Sequence, residues 1–123
     1  MEFERAFPAE VSSVRRARTF VADAVASSPV DTQVVRLLTS ELATNAVLHT
    51  QSGFRVRVRA GADSVRVEIV NDEPELLLAM REPSETGGRG LRLVEELSLQ
   101  WGVRSTRDEK VVWFEVPRSG PDQ

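Results

Sequence analysis

Glu41, Asn45 and His49 recur at every fourth position in a segment otherwise rich in hydrocarbon. Around them, Val34, Val35, Leu37, Leu38, Leu42, Ala46 and Leu48 repeat at helical intervals between Val30 and Thr50. At about 100° per residue, this spacing predicts a helix whose broad apolar arc contains the three polar side chains. Gln33, Arg36, Ser40, Ala43 and Thr44 fall toward the opposite side. A carboxylate, an amide and an imidazole turned toward a core cost free energy unless polar groups meet them. The arrangement predicts a ligand pocket beside this helix.

Two further groups extend the pattern. Asp72 follows the apolar strand end Ile69-Val70-Asn71, and Gly87-Gly88-Arg89-Gly90 opens a segment with Leu91, Val94 and Leu97 at helical spacing. Singly, each has an ordinary explanation: an inner Asn satisfied within the core, an Asp forming a turn, glycines making a connection. Together they describe phosphoryl transfer. A helix amino terminus offers unpaired N–H groups and partial positive charge, and glycine lets an anion approach the backbone. Arg89 adds a cation. An Asn oxygen near phosphate suits Mg²⁺, which prefers oxygen ligands and keeps waters. A Glu one turn away can orient or deprotonate an attacking hydroxyl.

These groups need a frame, and the rest of the chain supplies one. Glu2 to Phe7 reads as an edge strand ending at Pro8. Val11, Val14, Arg18, Val21 and Val25 predict a first helix from Ala9 to about Ala26. Pro29 or Asp31 marks the start of the second helix. Phe54 to Ala60 alternates strictly, with Arg55, Arg57 and Arg59 on one side. A Gly61–Ser64 turn then leads to Val65, Val67 and Ile69 alternating with Arg66 and Glu68. One face of this hairpin is apolar and the other ionic, the arginines pairing with Glu68, Glu2 and Glu4 on a solvated face. Leu99 to Ser105 and Val111 to Val116 predict two more strands, packed by Trp101 and Trp113. The expected fold is α+β: a two-layer sandwich with three helices on one face of a mostly antiparallel sheet of about five strands.

Composition fits that size. The chain has 123 residues, 41% hydrophobic and 28% charged, and a domain this long buries roughly 65% of its unfolded surface. It contains no cysteine, which excludes disulfides, thiolate metal sites and cysteine nucleophiles. A net charge of −3 argues against direct nucleic-acid binding. No stretch reaches the ~20 apolar residues of a membrane span. The charged amino terminus lacks the apolar run of a signal peptide, so a cytoplasmic location is expected.

The run Glu41-Leu42-Ala43-Thr44-Asn45-Ala46-Val47-Leu48-His49 resembles the N-box of the Bergerat-fold ATPases, the superfamily of gyrase and the histidine kinases. Asp72 resembles the aspartate of their first glycine box, and Gly88-Arg89-Gly90-Leu91-Arg92-Leu93-Val94 resembles their second. Trp101-Gly102-Val103 and Lys110-Val111-Val112-Trp113 are most similar to the small stand-alone anti-sigma-factor and serine-kinase-like members of actinobacterial type. The resemblance spans residues 1–117 as one ATPase domain, with 118–123 as a flexible tail.

The resemblance implies specific roles. Glu41 is the general base, and Asn45 binds Mg²⁺. Asp72 accepts a hydrogen bond from the adenine amino group. Gly88, Arg89, Gly90 and Leu91 border the phosphates of ATP and hinge a nucleotide lid, with His49 nearby. His49 is the only histidine, and its N-box location is wrong for a phosphoacceptor. Two features depart from the family pattern. Glu73 and Pro74 follow Asp72 where Asp-x-Gly is usual, and Val111 stands where a Thr often supports the adenine. The segment from Glu73 to Gly87 is short for a lid, and its Leu76-Leu77-Leu78 run needs a cover.

The implied function is an ATP- and Mg²⁺-dependent serine/threonine kinase acting on a STAS-type anti-anti-sigma partner, sequestering a sigma factor, or both, with a homodimer expected of some relatives. The alternatives are an adaptor of the same fold with weakened nucleotide binding, and a hydrolase in which Glu41 activates water.

Overall fold

The computed structural model describes residues 1–72 and 88–119. Within them, five antiparallel strands and three helices follow the order β1 (Glu2–Phe7), α1 (Ser12–Ala24), α2 (Thr32–His49), β2 (Phe54–Ala60), β3 (Ser64–Asn71), α3 (Gly88–Leu97), β4 (Gln100–Ser105) and β5 (Lys110–Pro117). The strands lie in the spatial order β1-β2-β3-β5-β4. All three helices cover one face: α1 lies over β1 and β2, α2 over β3 and β5, and α3 over β4. The segment 73–87, which holds Glu73, Pro74, Leu76-Leu77-Leu78 and the expected lid, lies outside the described residues.

Strand alternation decides which side chains form the core. Phe54, Val56 and Val58 of β2, Val65, Val67 and Ile69 of β3, and Val112, Phe114 and Val116 of β5 turn toward the helices and are buried. Leu38 and Leu42 of α2 pack against them without exposure. Each such leucine contributes about 2–3 kcal/mol through burial.

The helices differ from their expected outlines at informative places. α1 starts at Ser12 rather than Ala9, because Pro8 accepts hydrogen bonds from the Glu10 backbone N–H and, at 2.7 Å, from the Ser13 hydroxyl. Its buried line is Ser13, Ala17 and Val21, continued by Val25 beyond its end, and Val11 is exposed. α2 starts after Asp31, whose carboxylate accepts from the Val34 backbone N–H at 3.2 Å, a helix cap. It ends where Thr50 turns extended and donates its hydroxyl to the Ala46 carbonyl. Gly53 follows at φ +85°, which suits glycine, and an added Cβ there would lie 2.5 Å from the Phe7 carbonyl oxygen.

α2 buries Val35, Leu38, Thr39, Leu42, Ala43 and Ala46. The apolar arc is thus narrower than its composition suggests. Leu37 and Leu48 are exposed, whereas Ala43 is buried although the spacing put it on the far side.

The outer face of the sheet carries the ionic lattice expected of it. One cross-strand row runs Glu4, Arg57, Glu68, Trp113, Gly102 through all five strands. Arg57 bridges Glu4 at 2.8 Å and Glu68 at 2.9 Å, and Arg59 meets Glu2 at 3.3 Å. The face is not solvated throughout, however. Glu68 is fully buried, with Arg66 and Arg104 also within 4 Å of its carboxylate. The guanidinium of Arg66 lies 3.9 Å from the centre of the Trp113 ring, and that ring fills the space beside Gly102. Trp101 is on the helix side, partly buried against the core. Arg118 and Ser119 hydrogen-bond back to Asp63 and Pro29 through their backbone amides.

Candidate functional site

Chain direction brings the candidate residues to one end of the sheet. α2 ends at His49, and past Thr50 three residues lead into β2 at Phe54, beside Asn71 at the end of β3. Asn71 is in turn opposite Lys110, and Lys110 is opposite Ser105. α3 ends at Leu97 and passes directly into Gln100, which pairs with Glu115 at the far end of β5. A ten-residue helix spans about 15 Å, close to the length of a six-residue strand. α3 therefore runs back along β4, and its first turn, Gly88 to Leu91, stands toward the Asn71 and Lys110 end. The carboxyl-terminal half of α2 and the amino-terminal turn of α3 thus lie toward the same end of the sheet.

The flank of α2 that bears the polar row also follows from contacts. Arg18 of α1 donates to the Ser40 hydroxyl at 3.4 Å, which fixes the side of α2 that faces α1. At about 100° per residue, Glu41 and Asn45 project to the other flank, and α3 occupies that side. Glu41, Asn45 and His49 are each half-buried. They line the border of the core, not its centre. That position suits polar groups serving a ligand, since it keeps them beside an apolar wall without desolvating them fully.

Asp72 does not join this group. Its carboxylate is 68% exposed and accepts from Arg55 at 3.1 Å, on the outer side of the sheet. Glu109 also binds Arg55, at 3.0 Å. Burial pulls the Arg55 guanidinium down, but the two carboxylates outweigh it and hold it above its usual value. The neighbouring Asn71 takes the helix-facing position instead, in phase with Val67 and Ile69, and is 1% exposed. Its amide donates to the carbonyl of Gly53. The same alternation governs β5, where Val111 turns outward and Lys110 takes the helix-facing position at 3% exposure. Asn71 and Lys110 were not singled out from the sequence. The strand phase set by Val67, Ile69, Val112 and Phe114 was the signal that identifies them.

The donor set fits a nucleotide phosphate and a hard cation. An amide and a carboxylate stand one turn apart on α2, on the flank toward α3. Asn45 would hold Mg²⁺ together with phosphate oxygens and water. Among the described residues, no cluster of three His, Cys, Asp or Glu side chains forms a self-sufficient metal site.

With fold and site in view, the class is defined: the chain belongs to the histidine kinase-like ATPase domain family, which it matches over residues 7–116. Among solved structures, it is similar to the RsbU and RsbW domains of Rv1364c from Mycobacterium tuberculosis, with a TM-score of 0.73 and 18% identity over 98% of this chain. It spans 33% of that mycobacterial chain. It is also similar to the Acinetobacter baumannii histidine kinase AdeS, with a TM-score of 0.58 and 11% identity, covering 96% of this chain and 68% of that one. No curated protein sequence matches the chain. Both structural likenesses concern the fold. Among the described residues, no helix is long and apolar enough to cross a membrane.

Proposed function

We propose that this chain is an ATP-binding regulatory protein of anti-sigma-factor type. It transfers the γ-phosphoryl group of ATP to a serine or threonine of a STAS-type anti-anti-sigma partner, sequesters a sigma factor, or does both in turn. The arrangement that supports this reading is the Glu41, Asn45 and His49 row on the flank of α2 toward α3, at the sheet end to which chain direction brings the first turn of α3. Family membership supports nucleotide binding, and the RsbW domain in the mycobacterial neighbour supports a role in this kind of regulation.

Each side chain has a task in that reaction. Glu41 accepts the proton of the partner's hydroxyl as its oxygen bonds to phosphorus and the bond to the ADP oxygen breaks. Asn45 holds Mg²⁺, which supplies charge neutralisation at the phosphates when bound. The N–H groups of Gly88 to Leu91 receive phosphate oxygens, and Arg89 adds positive charge. His49 borders the same space.

The partner is protein, and α1 offers a surface for it. A groove of about 430 Å³ beside β1 is lined by Phe3, Arg5, Arg15, Arg16 and Phe20, with only Asp23 opposing the three cations. Its aromatic and cationic lining suits an acidic partner segment.

The test is transfer of label. With γ-labelled ATP, Mg²⁺ and STAS-type proteins of the source organism, label should reach one partner, and Glu41→Gln should reduce the rate at least about hundredfold. Equal rates for both proteins would refute the base assignment. An adaptor reading is favoured by one observation: the helix-facing end of β3 carries the amide of Asn71 in place of a carboxylate. In that case partner capture persists without measurable nucleotide binding.

A further inference from the structure

We propose that the open edge of β1 and the flank of α1 above it together take an extended acidic segment of a protein partner, added to the sheet as a further strand. The inference rests on the partner reading above and names the segment; nucleotide binding and phosphoryl transfer do not enter it.

The backbone of β1 comes first. Among the described residues it is an outer strand of the sheet, paired with β2 alone. Met1 and Ala60 exchange two backbone hydrogen bonds, at 2.9 and 3.3 Å. Hydrogen-bonded pairs alternate along an antiparallel ladder, so Phe3, Arg5 and Phe7 bond to β2. The N–H and C=O groups of Glu2, Glu4 and Ala6 then face the open edge, a template for another strand. α1 lies over β1 and β2. The groove of about 430 Å³ between α1 and β1 is where the inward side chains of that strand would go.

Charge then selects the occupant. Side chains of β1 alternate, with Phe3 and Arg5 toward α1 and Glu2 and Glu4 on the outer face. Arg5, Arg15 and Arg16 line the groove against one acid, Asp23. The Arg5 guanidinium lies 5.1 Å from the centre of the Phe20 ring, and that of Arg16 lies 6.0 Å from the centre of the Phe7 ring. Both cations are thus held over aromatic faces beside the edge. Carboxylates on alternate residues of an added strand would meet these arginines, and uncharged residues between them would lie beside Glu4 without repulsion. A second copy of the chain fits poorly. Antiparallel pairing of β1 with itself opposes Arg5 to Arg5, Glu4 to Glu4, or Glu2 to Glu4, according to whether it centres on Arg5, Glu4 or Phe3. Like charges directly opposite are destabilising.

Fluorescence anisotropy of the full chain with labelled peptides of about eight residues tests this. A peptide with glutamate at every second position and threonine between should bind, and its counterpart with lysine for glutamate should not. A peptide of the same composition with its glutamates consecutive should bind at least about tenfold more weakly. Arg15→Glu combined with Arg16→Glu should weaken the alternating peptide at least about tenfold and leave ATP affinity unchanged. Methylating the peptide nitrogens at alternate residues should abolish binding in one phase and spare it in the other, since only one set of N–H groups meets β1. Equal affinity for the alternating and consecutive peptides, or equal tolerance of both methylation phases, would overturn strand addition. So would a chain found dimeric through β1 with the alternating peptide excluded. Capture of a STAS-type protein that persists undiminished in the double variant would overturn this proposal and leave the partner reading standing. Failure to capture any such protein while the alternating peptide binds would overturn the partner reading and leave the groove assigned.

Discussion

The side-chain amide of Asn71 donates to the carbonyl of Gly53, tying the end of β3 to the turn that carries α2 into β2. This one bond couples the sheet to the helix that bears Glu41, Asn45 and His49. It is available because Gly53 adopts φ +85°, which presents its carbonyl to the strand end while the backbone passes close to Phe7.

Gly53→Ala should therefore be disproportionately damaging. Its Cβ would meet the Phe7 carbonyl oxygen at 2.5 Å, a backbone clash that a side-chain rotation cannot relieve. With the positive φ added, a loss of about 2–4 kcal/mol is expected in urea denaturation. An unchanged midpoint would show that the turn relaxes freely.

Glu68 tests the outer lattice. It is fully buried between Arg57 and Trp113, and Arg66 and Arg104 approach it as well. Glu68→Ala removes the acceptor, leaving Arg57 with Glu4 and Arg66 with Glu115. A cost of about 2–4 kcal/mol is expected, somewhat below a fully buried pair because the arginines reach water. A change under about 0.5 kcal/mol would place the lattice among ordinary surface pairs.

Acid sensitivity follows from Glu4. The hydrogen bond from Arg57, opposed by burial and reinforced by the charges of Arg57 and Arg55, holds its carboxyl below the usual carboxylate value. A lowered folded pKa means that the stabilisation is present at neutral pH and lost as pH falls through that lowered value. Glu4→Gln should thus narrow the stability difference between pH 7 and pH 3, by less than about 1 kcal/mol because the pair is exposed. Paired denaturation curves at the two pH values measure it, and an unchanged difference would contradict the assignment.

Gly102 is required for the seat of Trp113. A Cβ at this position would lie 2.8 Å from the indole Cζ2. Gly102→Ala should displace the ring from beneath Arg66, cost about 1–2 kcal/mol, and red-shift tryptophan emission. Unaltered emission would mean that the ring is not held there.

Much of this fold was legible because its strands alternate cleanly. Phe54 to Ala60 and Val65 to Ile69 fixed the hairpin, its turn and the side facing the helices, and Asp31 marked the start of α2. Helix composition was less decisive. Leu37 and Leu48 look like core residues in a sequence, yet α1 and α3 leave their flank of α2 open, while Ala43 is buried only because tertiary packing covers it. α1 began late because a turn at Pro8 competed with helix formation at Ala9 to Val11.

The site was legible in part for a related reason. Glu41, Asn45 and His49 share a helix spacing that needs no long-range information. Asp72 follows an apolar strand end and resembles the first-box aspartate, but strand phase decides facing, and a one-residue difference turns a side chain to the other surface. The phase of β3 selects Asn71, and the phase of β5 selects Lys110 over Val111. The buried state of Glu68 was not readable at all, since it depends on arginines from three strands closing over it.

Amide spectra of the labelled chain, recorded during titration with ATP·Mg²⁺, address the shared site most directly. The amides of Asn45, His49, Gly88 and Gly90 should shift together with a single saturating affinity. Saturating nucleotide that leaves α2 and the first turn of α3 unmoved, or perturbs only the outer face around Arg55 and Asp72, would contradict it.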